Sequence, residues 1–239
     1  MDERFSRTQM MLGDDSLSKL KNSRVAVFGV GGVGGAVAEA LARGGVGCID
    51  LVDSDTVSVS NINRQIIALE STVGMYKVDA ARERIKDICP DTQVNVHKCF
   101  YLPDTADMFD FGVYDYVVDA VDTVTAKTEL CVRAHESSTP IISAMGAGNK
   151  LDPTMFKVAD VFSTKVCALA RTMRNALKKR GIKSLKCVYS EELPVLPAGK
   201  KEFTPEGKPI PASVSFVPPV MGYIMAGEVI KDIINYNNK

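Results

Sequence analysis

Hydrophobic positions along this chain fall into two alternating periods. Arg24 to Gly29 (RVAVFG) is a short β-branched and aromatic run of the kind that forms a strand buried on both faces of a parallel sheet. Glycines follow at once, and then VGGAVAEALARGG, whose spacing is helical and whose end is marked by Gly44 and Gly45. CIDLVDSD resumes the strand pattern and ends in acids, completing one βαβ unit. Tyr76 to Cys89 then predicts a helix ended by Pro90, VNVHKCF a third strand and YDYVVDAVD a fourth. A helix from about Thr125 to Ser137 and a fifth strand in TPIISAMGAG follow. Strands alternate with helices, with no internal repeat. The expected fold class is therefore α/β: a doubly wound, Rossmann-like, mostly parallel sheet that takes its ligand at the carboxyl ends of the strands.

Beyond the fifth strand the pattern changes. Residues 162 to 180 read as a basic helix within a basic segment, 161–190. Residues 194–213, rich in proline with glycine and lysine, read as a mobile surface loop rather than a domain boundary. The last segment, 214–239, carries a C-terminal helix in GYIMAGEVIKDII that is expected to pack back onto the sheet. One domain over 1–239 fits the length.

Composition narrows the classes. Hydrophobic residues at 46% and charged residues at 24% exclude disordered and fibrous chains. No apolar stretch reaches the ~20 residues that span a bilayer, and MDERFSRTQMML has no apolar signal core, so a cytoplasmic protein without a membrane partner is expected. The cysteines, Cys48, Cys89, Cys99, Cys131, Cys167 and Cys187, form no C-x-x-C pair, which disfavours a structural zinc site and a disulfide frame. The formal charge is zero, yet residues 161–190 hold eight basic side chains and no acidic one. Such a block is commonly a solvated helix face; it also suits a polyanionic partner.

The chemistry begins at the first turn. Gly29, Gly31 and Gly34 form G-x-G-x-x-G between a strand and a helix, with Gly32 inside the same turn. Glycines there let the backbone approach phosphate, and the helix N-terminus supplies unpaired amides and a positive dipole. Asp53, at the end of the second strand, can accept hydrogen bonds from ribose hydroxyls. These residues say nucleotide without saying which. A nicotinamide site needs a mostly apolar pocket for hydride transfer, whereas a triphosphate needs several cations and a carboxylate for magnesium. The second set is present: after Asp53 and Asp55 come Asn61, Arg64 and Gln65 in SNINRQ, Lys77 in GMYKVDA, and Asp122 at the end of the fourth strand. Singly, Arg64 and Lys77 could be surface charges and Asp122 a helix N-cap.

In order, the motifs RFSRTQMML, GVGGVG, VDSDTVSVSNINRQ, VGMYKVDAA and DAVDT resemble the ThiF-like ATP-dependent adenylating enzymes related to ubiquitin-activating enzyme, over almost the whole chain. The resemblance implies ATP held by the glycine turn (Gly29, Gly31, Gly32, Gly34), ribose on Asp53, and phosphates on Asn61, Arg64 and Lys77 beside Gln65. It places Mg2+ on Asp122. Arg7, the second arginine of the N-terminal motif, is implied to reach a partner subunit's ATP, and hence a homodimer. Arg7, Arg64, Lys77 and Asp122 form the implied catalytic set. Cations there would neutralise charge building on the α-phosphate and the leaving pyrophosphate while a carboxylate attacks.

GAGNKLDPT, the basic helix, LKCVYSEELP and SVSFVPPVMGYIMAGEVIKDI are similar to the tRNA threonylcarbamoyladenosine dehydratases of that superfamily. This implies that ATP adenylates the threonylcarbamoyl carboxylate on tRNA and that ring closure releases AMP. Arg171, Arg174 and Lys178, at i, i+3 and i+7, with Lys179 and Arg180 beside them and Lys183 and Lys186 beyond, then read as a tRNA-binding face. The helix entry departs from the family's Asp-Pro, with Cys167 and Ala168 in its place. Cys167 and Cys187, in the basic region, are the cysteines whose surroundings would lower a thiol pKa, although ring closure needs no thiol. Three rival readings are an adenylyltransferase for a ubiquitin-like sulfur carrier, a nucleotide-binding scaffold engaging a cysteine desulfurase, and, most distantly, an NAD dehydrogenase.

Overall fold

The computed structural model describes residues 2–199, 202–203, 207 and 209–236. A single sheet of seven strands runs in the order β3-β2-β1-β4-β5-β7-β6. Its strands are β1 (Arg24–Phe28), β2 (Cys48–Val52), β3 (Gln93–His97), β4 (Tyr116–Asp119), β5 (Ile141–Ala144), β6 (Phe156–Asp160) and β7 (Lys186–Ser190). All neighbours pair in parallel except β6, which runs antiparallel to β7 at the edge. The expected doubly wound, mostly parallel sheet is thus observed, extended by a terminal pair that hydrophobic alternation did not reveal. The order reverses at β1, with β2 on one side and β4 on the other, and a crevice opens outside such a switch point.

Among the described residues seven α-helices accompany the sheet: α1 (Ser6–Leu12), α2 (Asp14–Lys21), α3 (Gly34–Gly44), α4 (Lys77–Ile88), α5 (Val124–Glu136), α6 (Ala168–Lys179) and α7 (Val217–Ile233). Alternation within β1 sends Val25 and Val27 to the core shared with α3, α4 and α7, and Ala26 and Phe28 to the opposite face. There Phe28 meets Tyr101, Phe109 and Phe111 at ring separations of 4.9, 5.2 and 5.9 Å. A third cluster under α6 includes Met173, Leu177, Cys187 and Tyr189. α7 lies along α3 because Gly222 has no side chain: a Cβ there would meet the Val33 carbonyl oxygen at 2.4 Å. The C-terminal helix therefore packs back as expected, over Val217–Ile233; residues 237–239 of that segment lie outside the described residues.

Two boundaries differ from the sequence pattern. The basic helix starts at Ala168 rather than near 162, because residues 161–163 form a separate 3-10 turn and Val166 takes a positive φ of 65°. Cys167 caps α6, its sulfur accepting from the Ala170 amide at 3.5 Å. The 194–213 stretch lies partly outside the described residues. Its described flanks are tied to one residue: the Val195 amide donates to the Asn149 carbonyl, the Asn149 amide to Ala212, and the Ala212 amide to the Asn149 side-chain oxygen, each at 2.8 Å.

Candidate active site

The glycine turn sits at the switch point, fastened to both neighbouring strands. The Gly29 amide donates to Val52 at 2.8 Å, and the Ala120 amide donates to Phe28 at 2.8 Å. Gly29 has φ +86°, and a Cβ on it would stand 2.6 Å from the Ala120 carbonyl oxygen; a Cβ on Gly34 would meet the Gly29 oxygen at 1.8 Å. Only glycine allows either approach. Gly31 and Gly32 form the outer part of the turn, Gly31 facing Gln65 and Gly32 close to Pro218 and Arg64. No side chain caps α3; the Gly35 amide bonds back to the Gly31 carbonyl at 2.9 Å, and the end of the helix presents its positive dipole to the turn.

Asp53 leaves β2 and turns toward this loop. Its carboxylate accepts from the Val30 amide at 2.7 Å and from the Asp55 amide at 2.8 Å, which aims it across the turn with lone pairs to spare. The SNINRQ segment brings up the rest. Asn61 accepts from the Ser58 amide at 3.1 Å. Arg64 donates to the Ser60 carbonyl at 3.1 Å and to the Asn63 side chain at 2.9 Å. Gln65 is buried, and its Oε1 has no hydrogen-bond partner. Lys77, the first residue of α4, is buried and pairs with Asp55 at 2.7 Å. Asp122, past the end of β4, is exposed. It does not cap α5: the N-cap is Thr123, and no side chain makes the capping bond.

The glycines, Asp53, Asn61, Arg64, Gln65, Lys77 and Asp122 are thus all carried on the segments that follow β1, β2 and β4, with Gly34 and Lys77 opening α3 and α4. Of these side chains Arg64 and Lys77 are cationic and Asp53, Asp55 and Asp122 anionic, an excess of one negative charge; Lys77 pairs with Asp55, and Arg64 with Ser60 and Asn63. Arg7 is elsewhere. It is exposed on α1, whose preceding residue Phe5 packs on Gly45 just past the end of α3, whereas the glycine turn lies at the start of that helix. The eleven residues of α3 put about 16 Å between those ends. An apolar cavity of about 360 Å³ also opens beside α1 and Gly45–Gly47, at that same remote end.

The basic segment divides. Arg171, Lys178, Lys179 and Arg180 are exposed. Arg174 instead turns inward, donating to the Val161 and Thr164 carbonyls at 3.2 Å each and to the Thr164 hydroxyl. These groups belong to the turn ahead of α6, so Arg174 does not present its guanidinium with the others as the i, i+3, i+7 spacing suggested. Lys186 is likewise engaged, with Glu228 at 3.2 Å and Asp232 at 2.8 Å. Cys187 departs from expectation too: burial pushes its thiol up to about 12, the opposite of activation.

One buried group escaped the sequence reading. Lys127 on α5 donates to both oxygens of Asp119 at 3.1 and 3.0 Å, to Ser143 at 3.3 Å and to the Ala144 carbonyl at 2.7 Å. Lysine and aspartate are 1% and 0% exposed. The available signal was Asp119 opening DAVD at the strand end.

A strand–glycine turn–helix at the switch point of a mostly parallel sheet, with an acid at the end of the next strand, defines an α/β protein of the doubly wound class. The chain belongs to the ThiF family, which matches residues 5–239. It is 45% identical to the tRNA threonylcarbamoyladenosine dehydratase of Bacillus subtilis, over 98% of this chain and 96% of that protein. Crystal structures of the Escherichia coli tRNA N6-threonylcarbamoyladenosine dehydratase, TcdA, superpose on it at 33% identity, covering 98% of this chain and 94% of theirs. The TM-score is 0.89 for the complex with AMP and 0.88 for that with ATP.

Proposed function

We propose that this chain is an ATP-dependent enzyme that dehydrates N6-threonylcarbamoyladenosine in tRNA to its cyclic form through an acyl-adenylate. The observation that carries the reading is the end-to-end likeness to dehydratases of that name, at 45% identity over 98% of the chain. The glycine turn and the open N-terminus of α3 hold the triphosphate, and Asp53 holds the ribose. The threonylcarbamoyl carboxylate attacks the α-phosphate and pyrophosphate leaves. Attack within the same nucleoside on the activated carbonyl then closes the ring, and AMP carries away the oxygen lost as water. Arg64 and Lys77 neutralise charge that grows on the phosphates in the transition state.

The electrostatic balance argues for two further contributors. A site with excess negative charge of its own needs added cations to accept a triphosphate. Among the described residues no group of three His, Cys, Asp or Glu could hold a metal. Magnesium ordinarily takes one or two carboxylates and completes its shell with phosphate oxygens and water, a donor set that Asp122 fits. When bound, it would supply Lewis-acid stabilisation of the phosphates. Arg7, exposed and at the far end of its own α3, suits the site of a second copy, which supports a homodimer. Arg171, Lys178, Lys179 and Arg180 form the tRNA-facing stripe.

The test is to incubate the pure protein with ATP, magnesium and tRNA bearing threonylcarbamoyladenosine, digest gently and weigh the nucleoside. Loss of one water with matching AMP is expected. An unchanged nucleoside from protein that binds ATP would overturn the reading in favour of a protein-carrier substrate.

A further inference from the structure

We infer that Lys127 is a positioning residue for the nucleotide end of the site, acting through Asp119 on the turn that carries Asp122. The inference rests on the proposed assignment of Asp122 to the metal–nucleotide complex. Asp119 is the last residue of β4, and everything that faces the nucleotide from that strand follows within three residues. Its Oδ1 accepts from the Val121 amide at 3.3 Å, so the carboxylate folds the turn back on itself. Ala120, inside that turn, is the residue whose carbonyl forbids a Cβ on Gly29. One short segment therefore supports the glycine turn on one side and ends in Asp122 on the other.

The carboxylate cannot hold that shape alone. Ser143 on β5 donates to its Oδ2 at 2.5 Å, and Lys127 bridges both oxygens to Ser143 and the Ala144 carbonyl. The ammonium ties the ends of β4 and β5 to α5 through one nitrogen. Stability is a poor reason for such a group. Taking both charges out of water is costly, and apolar side chains of similar volume are often as stable or more so. What an apolar pair cannot do is fix the direction of the Val121 amide and the path to Asp122. A misplacement of 1 Å in a reacting group can cost about 10²-fold in rate.

The test separates folding from positioning. Lys127→Met combined with Asp119→Leu replaces the pair by apolar side chains, and its unfolding temperature is compared with wild type without nucleotide, with ATP in chelator and with ATP plus magnesium. The expected result is wild-type stability without nucleotide, a response to ATP in chelator that is retained, and loss of the extra stabilisation that magnesium adds. Turnover on threonylcarbamoyladenosine tRNA should fall about tenfold or more. A stable double variant with a wild-type magnesium response and turnover would overturn the inference. Should that variant fail to fold, Lys127→Met combined with Asp119→Asn keeps an acceptor for Ser143 and the Val121 amide while removing the ammonium; an undiminished magnesium response there overturns it equally. Because the thermal readout uses no RNA, wild-type protein that responds to magnesium and ATP but leaves the nucleoside unchanged would defeat the proposed substrate and not the role of Lys127.

Discussion

Asp50 and Asp119 are both fully buried, in strands that flank β1, yet their surroundings give them different work. Asp50 sits in the middle of β2. Arg24 on β1 reaches it through two bonds of 2.8 Å, and Asn95 and His97 on β3 approach at 3.1 Å. Burial by itself would raise its pKa, but the hydrogen bonds from Arg24 first, then His97 and Asn95, hold the carboxyl well below the usual range. It clamps three strands together through side chains. Asp119 lies at a strand end, where the next residues run beside the glycine turn, and the same chemistry there shapes a turn. Position along the strand, more than burial, separates a carboxylate that holds the sheet from one that shapes the site.

The contrast can be broken most severely at Asp50. Asp50→Ala leaves Arg24, Asn95 and His97 without their shared acceptor and should cost about 1–3 kcal/mol of stability, with turnover per folded molecule preserved. Denaturant unfolding beside an activity assay at low temperature reads both, and a loss below about 1 kcal/mol would remove the distinction. Asp122→Ala should do the reverse: an unchanged unfolding midpoint and a fall of about 10²–10³-fold in turnover, with nucleotide binding partly kept. Near-wild-type kinetics would reject its assignment.

Acid sharpens the comparison. A carboxylate whose folded pKa is depressed contributes stability that is fully present above its unfolded value, about 3.9, and is lost as pH falls toward the folded one. Unfolding measured between pH 5 and 3 should show a slope of up to about 1.4 kcal/mol per pH unit below pH ~3.9 from this group, missing in Asp50→Asn. An identical slope in that variant would assign the acid sensitivity elsewhere. The smallest effects are expected on α6. Lys178→Glu should weaken tRNA binding and lower its salt dependence by at least about one released ion, with the fold intact. Arg174→Ala should instead cost about 1–2 kcal/mol of stability and change tRNA affinity little. Equal responses from the two would contradict the inward course of Arg174.

Much of the fold was legible because strands buried on both faces and amphipathic helices have distinct periods. RVAVFG, CIDLV and YVVDA announce themselves in this way, and the acids that end them fall where a parallel sheet exposes its strand ends. β6 was less visible for a physical reason: it is an edge strand with Lys157 and Val158 exposed, so FKVAD lacks a buried run. In the site, glycines and strand-end acids could be placed from spacing alone, since the turn dictates them. Arg174 could not, because spacing reports the direction of a side chain's root and not which unpaired carbonyls lie within reach of its tip. Lys127 was hidden more deeply. A lysine in a helix reads as solvent-facing until the tertiary structure sets a carboxylate, a hydroxyl and a carbonyl around it.

Asn149 is a three-bond staple. Its carbonyl takes the Val195 amide, its amide reaches Ala212 and its side-chain oxygen takes the Ala212 amide, while its φ of 57° is one that asparagine tolerates better than most residues. A substitution there would loosen two distant stretches of chain at once, at a point that belongs to no strand of the sheet.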